Sequence, residues 1–208
     1  MSRRRRYRAF AVAALLAAAS LSAAPAQALP RGNGDVALGT DLAYVAADGR
    51  LAVRPADGGP PTAFGPDGAT HAFPAWSPDG DRVAAIRRTA GGASAVVVDP
   101  VAADPPAIWF DEPGADVIYF DWRDDGEALY LLVNDPATGY ALVEAGPDDA
   151  TRLARGAPLF WDQTPDGDLL LHVGGPGPAR LFGLDPRTGE ATPPLAEPGV
   201  FRSPAASP

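Results

Sequence analysis

The feature that most restricts what this chain can fold into is a short segment, Ala75-Trp76-Ser77-Pro78-Asp79-Gly80, that returns downstream at a near-constant interval. Aligned on the Asp-Gly pair, the later copies read Asp121-Trp122-Arg123-Asp124-Asp125-Gly126 and Asp162-Gln163-Thr164-Pro165-Asp166-Gly167, and Ala205-Ala206-Ser207-Pro208 begins another. The fourth position of each copy falls at 78, 124, 165 and 208, in steps of 46, 41 and 43. A period of roughly 40 to 45 residues with several short strands per unit marks propeller blades, not helical solenoids.

The residue types inside the motif explain why it recurs. Trp76 and Trp122 bring large rigid rings that bury area where neighbouring sheets pack face to face. Pro78 and Pro165 preset φ, and Asp79, Asp125 and Asp166 can accept from amides of their own turns. Gly80, Gly126 and Gly167 admit positive φ. Ser77 completes the turn of the first copy. Gln163 departs from the tryptophan pattern, and Trp161 two residues earlier is placed to fill part of the gap. The motif reads as a turn and a wedge, with no reaction centre in it.

Between the motifs the chain reads as short strands. Asp41 to Ala46 and Arg50 to Arg54 flank Asp48-Gly49, a hairpin signal whose favoured turn needs the positive φ that Gly and Asp tolerate. Pro61 to Phe64 follows, so this partial unit, 41–70, lacks the strand that should precede Asp41. A complete blade at about 71–114 uses His71 to Trp76, Arg82 to Arg87, Ala93 to Val98 and Ala107 to Phe110. The next, 115–156, uses Val117 to Trp122, Glu127 to Val133, Tyr140 to Glu144 and Thr151 to Leu153. The third, 157–199, uses Pro158 to Gln163, Asp168 to Val173, Ala179 to Leu184 and a weaker strand near Glu190 to Pro193, and 200–208 opens another unit. The expected fold is all-β: a propeller of four-stranded antiparallel blades, about three complete and one partial. Two arrangements are compatible with the half-motif at 205–208: a piece of a larger propeller, which the interruption in mid-motif favours, or four blades closed by that strand.

Phe73 to Ala84 and, less closely, Asp121 to Tyr130 and Asp162 to Leu171 resemble the Pro-Asp-Gly repeat of TolB-like β-propellers, a group related in shape to WD-repeat propellers. The resemblance covers residues 41–208 and is specific for fold. It implies a function drawn from a varied group: a periplasmic partner of an envelope system, the substrate-gating propellers of prolyl-oligopeptidase-like peptidases, and other exported proteins. The lead segment 29–40 is too short for the α/β domain that precedes the propeller in TolB itself.

Residues 1–28 have the layout of a secretory signal. Arg3 to Arg6 with Arg8 form a positive region, Ala9 to Leu21 an apolar stretch, and Ala26-Gln27-Ala28 a small-x-small cleavage site, so the exported chain is expected to begin at Leu29 in the periplasm or outside the cell, with no membrane anchor. Arg4-Arg5-Arg6-Tyr7 also partly fits a twin-arginine signal. Five of the 17 basic residues lie in that segment, which leaves 12 against 26 acidic side chains, about −14. A phosphate-backbone binder needs a basic stripe, so nucleic acid is an improbable partner. Without cysteine there is no lipoprotein anchor, thiol catalysis or cysteine-ligated zinc.

Catalytic candidates are sparse. His71 and His172 are the two histidines, each read as structural or surface-lying. Gly91-Gly92-Ala93-Ser94-Ala95 is not a nucleophile elbow. Asp121, Asp124 and Asp125, or Asp148 and Asp149, lack the spacing of a calcium loop and are read as turn caps. Gly174-Gly175-Pro176-Gly177 reads as a connecting turn, because prolines 176 and 178 remove amides that a phosphate cradle needs. No catalytic, cofactor or metal residue is therefore assigned. The expected function is non-catalytic binding of a protein, peptide or glycan partner, the alternative being a gating propeller of a larger hydrolase or lyase.

Overall fold

Each Asp-Gly step in the chain becomes a tight turn with one left-handed residue. In the computed structural model, which describes residues 40–102, 104–136, 139–175, 177–198 and 204–207, Gly49, Gly80, Gly126 and Gly167 have φ between +78° and +87°. The expected signal at residues 1–28, nearly all of the lead segment and the first half of the strand expected from Val200 to Ser207 lie outside the described residues, and 204–207, which are described, form no strand. At Asp48-Gly49 the turn differs from the expected one. Only Gly49 has positive φ, its N–H donates to Ala46 O at 2.9 Å, and the Asp48 carboxylate accepts from Arg50 N at 3.0 Å. A type I turn closed by a left-handed glycine does the work, because the aspartate is held by its own side-chain hydrogen bond and need not leave the right-handed region.

The strands between these turns are β1 (Leu42–Val45), β2 (Leu51–Arg54), β3 (Thr62–Phe64), β4 (Thr70–Trp76), β5 (Val83–Thr89), β6 (Gly92–Val98), β7 (Ala107–Phe110), β8 (Asp116–Trp122), β9 (Leu129–Asp135), β10 (Gly139–Ala145), β11 (Ala150–Arg155), β12 (Leu159–Gln163), β13 (Leu169–Val173) and β14 (Arg180–Leu184). They form four antiparallel sheets, β1-β2-β3, β4-β5-β6-β7, β8-β9-β10-β11 and β12-β13-β14, each a simple meander. The described residues contain no helix, and the sheets do not close into a ring.

The weaker strand expected near Glu190 to Pro193 is not a strand. It is reduced to two isolated bridges, Leu184 with Ala191 and Leu181 with Ala196. Pro193 and Pro194 supply no amide donors, so a continuous ladder along β14 cannot form there. Thr192 and Leu195 still donate to Gly183 O and Leu181 O, at 2.8 and 2.7 Å.

Alternation along the central strands divides the core by sheet interface. Leu51, Val53 and Phe64 pack with Val83, Ala85, Val96 and Val98 between the first two sheets. The opposite faces of β5 and β6, through Ala84, Ile86, Ala95 and Val97, meet Leu129, Leu131, Val133, Ala141 and Val143 of the third. Tyr130 and Leu142 then face Leu169, Leu171 and Val173 of the fourth. Period-two patterning that is apolar on both faces is what a sheet sandwiched between two others requires.

Among the described residues the first sheet has no counterpart of the strand that leads the other units. The start of β8 meets the turn between the second and third strands of the sheet before it, where Asp116 accepts from Ala93 N at 2.8 Å. At the start of β4, His71 N donates to Gly49 O in the β1–β2 turn at 2.8 Å. That turn therefore joins second and third strands, and β1 to β3 are the second, third and fourth strands of their unit.

Candidate functional site

The motif copies line up as a column that fastens each sheet to the next. Within the first copy, Ser77 Oγ donates to Asp79 and accepts from Arg82 N at 3.0 Å, while Ser77 N donates to Arg82 O at 2.8 Å and Gly80 N to Ser77 O at 3.0 Å. Pro78 and Gly126 approach each other across the sheet boundary, for a Cβ on Gly126 would stand 3.5 Å from the Pro78 ring and from Asp79. In the second copy Asp125 accepts from Glu127 N at 2.9 Å and from Arg123 Nε at 2.8 Å. In the third, which contains Pro165 and Asp166, Thr164 takes the place of Ser77, with Gly167 N on Thr164 O at 3.0 Å and Asp168 N on Thr164 Oγ1 at 3.1 Å. The Ser77 hydroxyl and then the Asp81 amide hold the Asp79 carboxyl below the usual range, and Arg123 does the same for Asp125.

Contacts between copies are as specific. Trp122 is buried, stands edge-on to Trp109 at 5.6 Å, and donates from Nε1 to Ala75 O of the preceding copy at 3.0 Å. Trp76 packs more loosely, against the core between the first and second sheets. Arg82 donates to Gly126 O at 2.8 Å, pairs with Glu127, and lies 5.6 and 5.8 Å from the Trp109 and Trp122 ring centroids, so one guanidinium ties two motif copies together. Gln163 replaces the wedge by hydrogen bonds: its Nε2 donates to Trp122 O at 2.7 Å and its Oε1 accepts from Asp124 N at 3.0 Å. Trp161 packs between the third and fourth sheets and meets Tyr119 at 5.9 Å. The bolt role of Arg82 was invisible in sequence, since its partners lie about one blade period away; the recurrence of hydrogen-bonding types at the motif positions was the one available signal.

The histidines are both buried. His71 Nδ1 accepts from Leu51 N at 3.2 Å, with Gly49 O 3.1 Å from the same nitrogen, and Nε2 is buried without a partner. Burial pushes its pKa below 6.5; the Gly49 carbonyl opposes this and the Arg87 charge adds to it. The unfolded chain thus takes up this proton first, and stability is lost as pH falls from about 6.5 through the lower folded value. The unfolding midpoint is expected to drop between pH 7.5 and 5, and His71→Gln to flatten that slope. Superimposable profiles for the two proteins would contradict this.

A polar cleft of about 210 Å³ is lined by Arg123, Glu127, Glu144, Asp149 and Thr151. Arg123 is held there between Asp125 and Glu144, and Tyr130, paired with Glu144 across the strands, is fully buried with its hydroxyl unpartnered. Burial, then the Glu144 charge, pushes the Tyr130 pKa upward. Among the described residues no three His, Asp or Glu side chains are grouped to hold a metal ion. Gly174 extends the β12–β13 ladder, accepting from Ala157 N at 3.2 Å and donating to Pro158 O at 2.7 Å, so its amide is already engaged.

One feature stands apart from these contacts. Phe73, in the middle of β4, has φ of +54° beside a bulge in the β4–β5 register, and the residue is 44% exposed. A non-glycine residue held in the left-handed region costs of order 1 kcal/mol or more and persists where its surroundings impose it.

No family model matches the sequence, and no curated protein sequence matches it. Solved structures do. TolB from Acinetobacter baumannii superimposes with a TM-score of 0.56 at 16% identity, over 82% of this chain and 45% of that one. A Mycobacterium tuberculosis puromycin-hydrolyzing peptidase gives 0.51 at 19% identity, over 73% and 28%, and a prolyl endopeptidase 0.52 at 16%, over 73% and 26%. The chain spans less than half the length of each of these structures. Its fold is that of a TolB-like β-propeller, built as four antiparallel sheets in an arc that does not close.

Proposed function

We propose that this chain is an exported, non-catalytic propeller that binds a protein, peptide or glycan partner in the cell envelope, through the first strands of its sheets and the loops at their ends. The observation that carries the reading is Phe73. Glycine would relieve the left-handed backbone and remove an exposed ring, so a phenylalanine there is explained by something the ring contacts. The motif residues, by contrast, are engaged in turns and inter-sheet contacts, which makes them a scaffold for that surface.

The purified chain, immobilised and exposed to envelope extract, should retain a partner above background. Phe73→Gly should lose most of that retention while its thermal stability stays equal or rises. Retention unchanged by Phe73→Gly, or no retention by folded protein, would overturn the reading. A second reading draws on the likeness to the two peptidases, of which this chain matches about a quarter of the length: a gating propeller of a larger hydrolase or lyase. A coding sequence continuing past codon 208 into a Ser-His-Asp hydrolase domain would favour it; one continuing into further blades and a stop codon would favour the binder.

A further inference from the structure

The connections between strands divide the charge of the chain unequally between the two ends of the sheets. Because every sheet is an antiparallel meander, the motif turns, which join first to second strands, share an end with the connections from third to fourth strands. Those segments are 77–82, 123–128 and 164–168 together with 55–61, 99–106, 146–149 and 185–190, and they hold 14 acidic and three basic side chains. The described connections at the other end hold four acidic side chains and one basic. Each arginine of the motif end is already held by a carboxylate: Arg82 by Glu127, Arg123 by Asp125 and Glu144, Arg187 by Asp185. That end therefore keeps a large excess of negative charge, which attracts cations, most strongly into a recess with low-dielectric walls.

Such a recess is the polar cleft at the motif end of the third sheet, between the 123–128 and 146–149 connections. Tyr130 lies opposite Glu144 and Glu144 opposite Thr151, so the three side chains share one face of the sheet. Tyr130 is fully buried and its hydroxyl has no hydrogen-bond partner. The charges that act on it are those of Glu144, Arg123, Asp125 and Asp124. Two of these line the cleft and three belong to the motif turn, so the ring runs along β9 toward the motif end and its hydroxyl is aimed at the cleft. A buried hydroxyl without a partner is destabilising, and phenylalanine would fill the same space without that cost. The hydroxyl is accounted for by a group that enters the cleft. Asp149, which also lines it, is exposed, and its carboxylate makes no ion pair or hydrogen bond among the described residues.

An anion in this cleft would compete with Asp125 and Glu144 for the one guanidinium of Arg123. A cation meets open acceptors instead: the Asp149 carboxylate, the second oxygen of Glu144, and the hydroxyls of Thr151 and Tyr130. These acceptors are supplied singly, by a connection and three different strands, which suits the three rotatable donors of an ammonium better than the planar fork of a guanidinium. We propose that the motif end of the third sheet docks a basic segment of a protein partner, with one lysine side chain seated in the cleft on Asp149, Glu144, Thr151 and the Tyr130 hydroxyl beneath them. The acidic connections around it draw the segment in, and the cleft fixes its register. The inference rests on the reading of the chain as a binder and supplies the chemistry of its partner, with no part for Phe73.

The probe is end-blocked hexalysine carrying fluorescein, titrated with the folded chain at fixed salt and followed by fluorescence anisotropy. Asp149→Asn should weaken its binding about tenfold and Tyr130→Phe about three- to tenfold. The thermal midpoint of Tyr130→Phe should equal or exceed that of the unaltered chain, which a purely structural role of the hydroxyl would not give. Thr151→Val, with a loss of about threefold, takes its place if Tyr130→Phe does not fold. Asp67→Asn removes the same charge at the opposite end and should leave binding unchanged. No binding of hexalysine, equal losses from Asp149→Asn and Asp67→Asn, or unaltered binding by Tyr130→Phe would each overturn the proposal. The binder and its basic partner fail separately. A partner retained from envelope extract that excess hexalysine does not displace keeps the binder and overturns the basic segment. Hexalysine held in the cleft by a chain that retains nothing from extract keeps the site and overturns the binder.

Discussion

Trp122→Ala should lower the unfolding free energy by about 3–5 kcal/mol, the range for removing a large aromatic from a packed interior. The ring is 3% exposed, edge-on to Trp109, within reach of the Arg82 guanidinium, and its Nε1 satisfies the Ala75 carbonyl of the neighbouring sheet. Truncation leaves a cavity between two sheets and removes one side of the joint that Arg82 makes. A typical domain has about 5–15 kcal/mol in total, so the loss is a large fraction of what holds the protein folded. Trp122→Phe keeps most of the buried area and loses the N–H donor, for a cost of about 1–2 kcal/mol. Denaturant titration of the three proteins measures both steps. Equal midpoints for Trp122→Ala and the unaltered chain would mean that the column of motifs is not what joins the sheets.

Gly174→Ala should be among the most damaging single methyls in the described chain, at about 3 kcal/mol, the upper end for over-packing. A Cβ there would stand 2.5 Å from Pro158 Cδ, 2.7 Å from Ala157 O and 2.9 Å from Pro158 N, all groups that move only with the backbone. Relief requires β12 and β13 to separate at that end, which breaks the bonds of Gly174 with Pro158 O and Ala157 N. Gly156 sits on the other side of the same approach, its added Cβ 2.4 Å from Gly174 O. Gly175→Ala is the control, because nothing lies within 4 Å of a Cβ at that position and the change should stay within about 0.5 kcal/mol. If the two alanine variants melt together, the close approach is not as drawn.

The same glycines show where sequence reading stops. Gly174-Gly175-Pro176-Gly177 was legible as a connection because proline and glycine set local backbone options, and local options need no knowledge of neighbours. That Gly174 must be glycine and Gly175 need not be is a matter of what passes beside each, which depends on β12. His71 and His172 likewise carry no local sign of their burial. The His71 ring takes its role from Leu51 and Gly49, about twenty residues away in the chain.

Fold class, blade period and the position of every motif turn followed from the sequence alone, since alternation, proline, glycine and the aspartate turn act over a few consecutive residues. Three matters were decided by tertiary structure. Gln163 keeps its joint by hydrogen bonds where tryptophan is missing, because the carbonyl of Trp122 and the amide of Asp124 happen to be presented to it. The last strand of the fourth sheet breaks into bridges, because prolines 193 and 194 meet a ladder that needs donors there. Closure failed to follow from the repeat for a different reason: each motif sets one joint, whereas a ring depends on the angles of all the joints together, and those arise from side chains packed across interfaces about 40 residues apart.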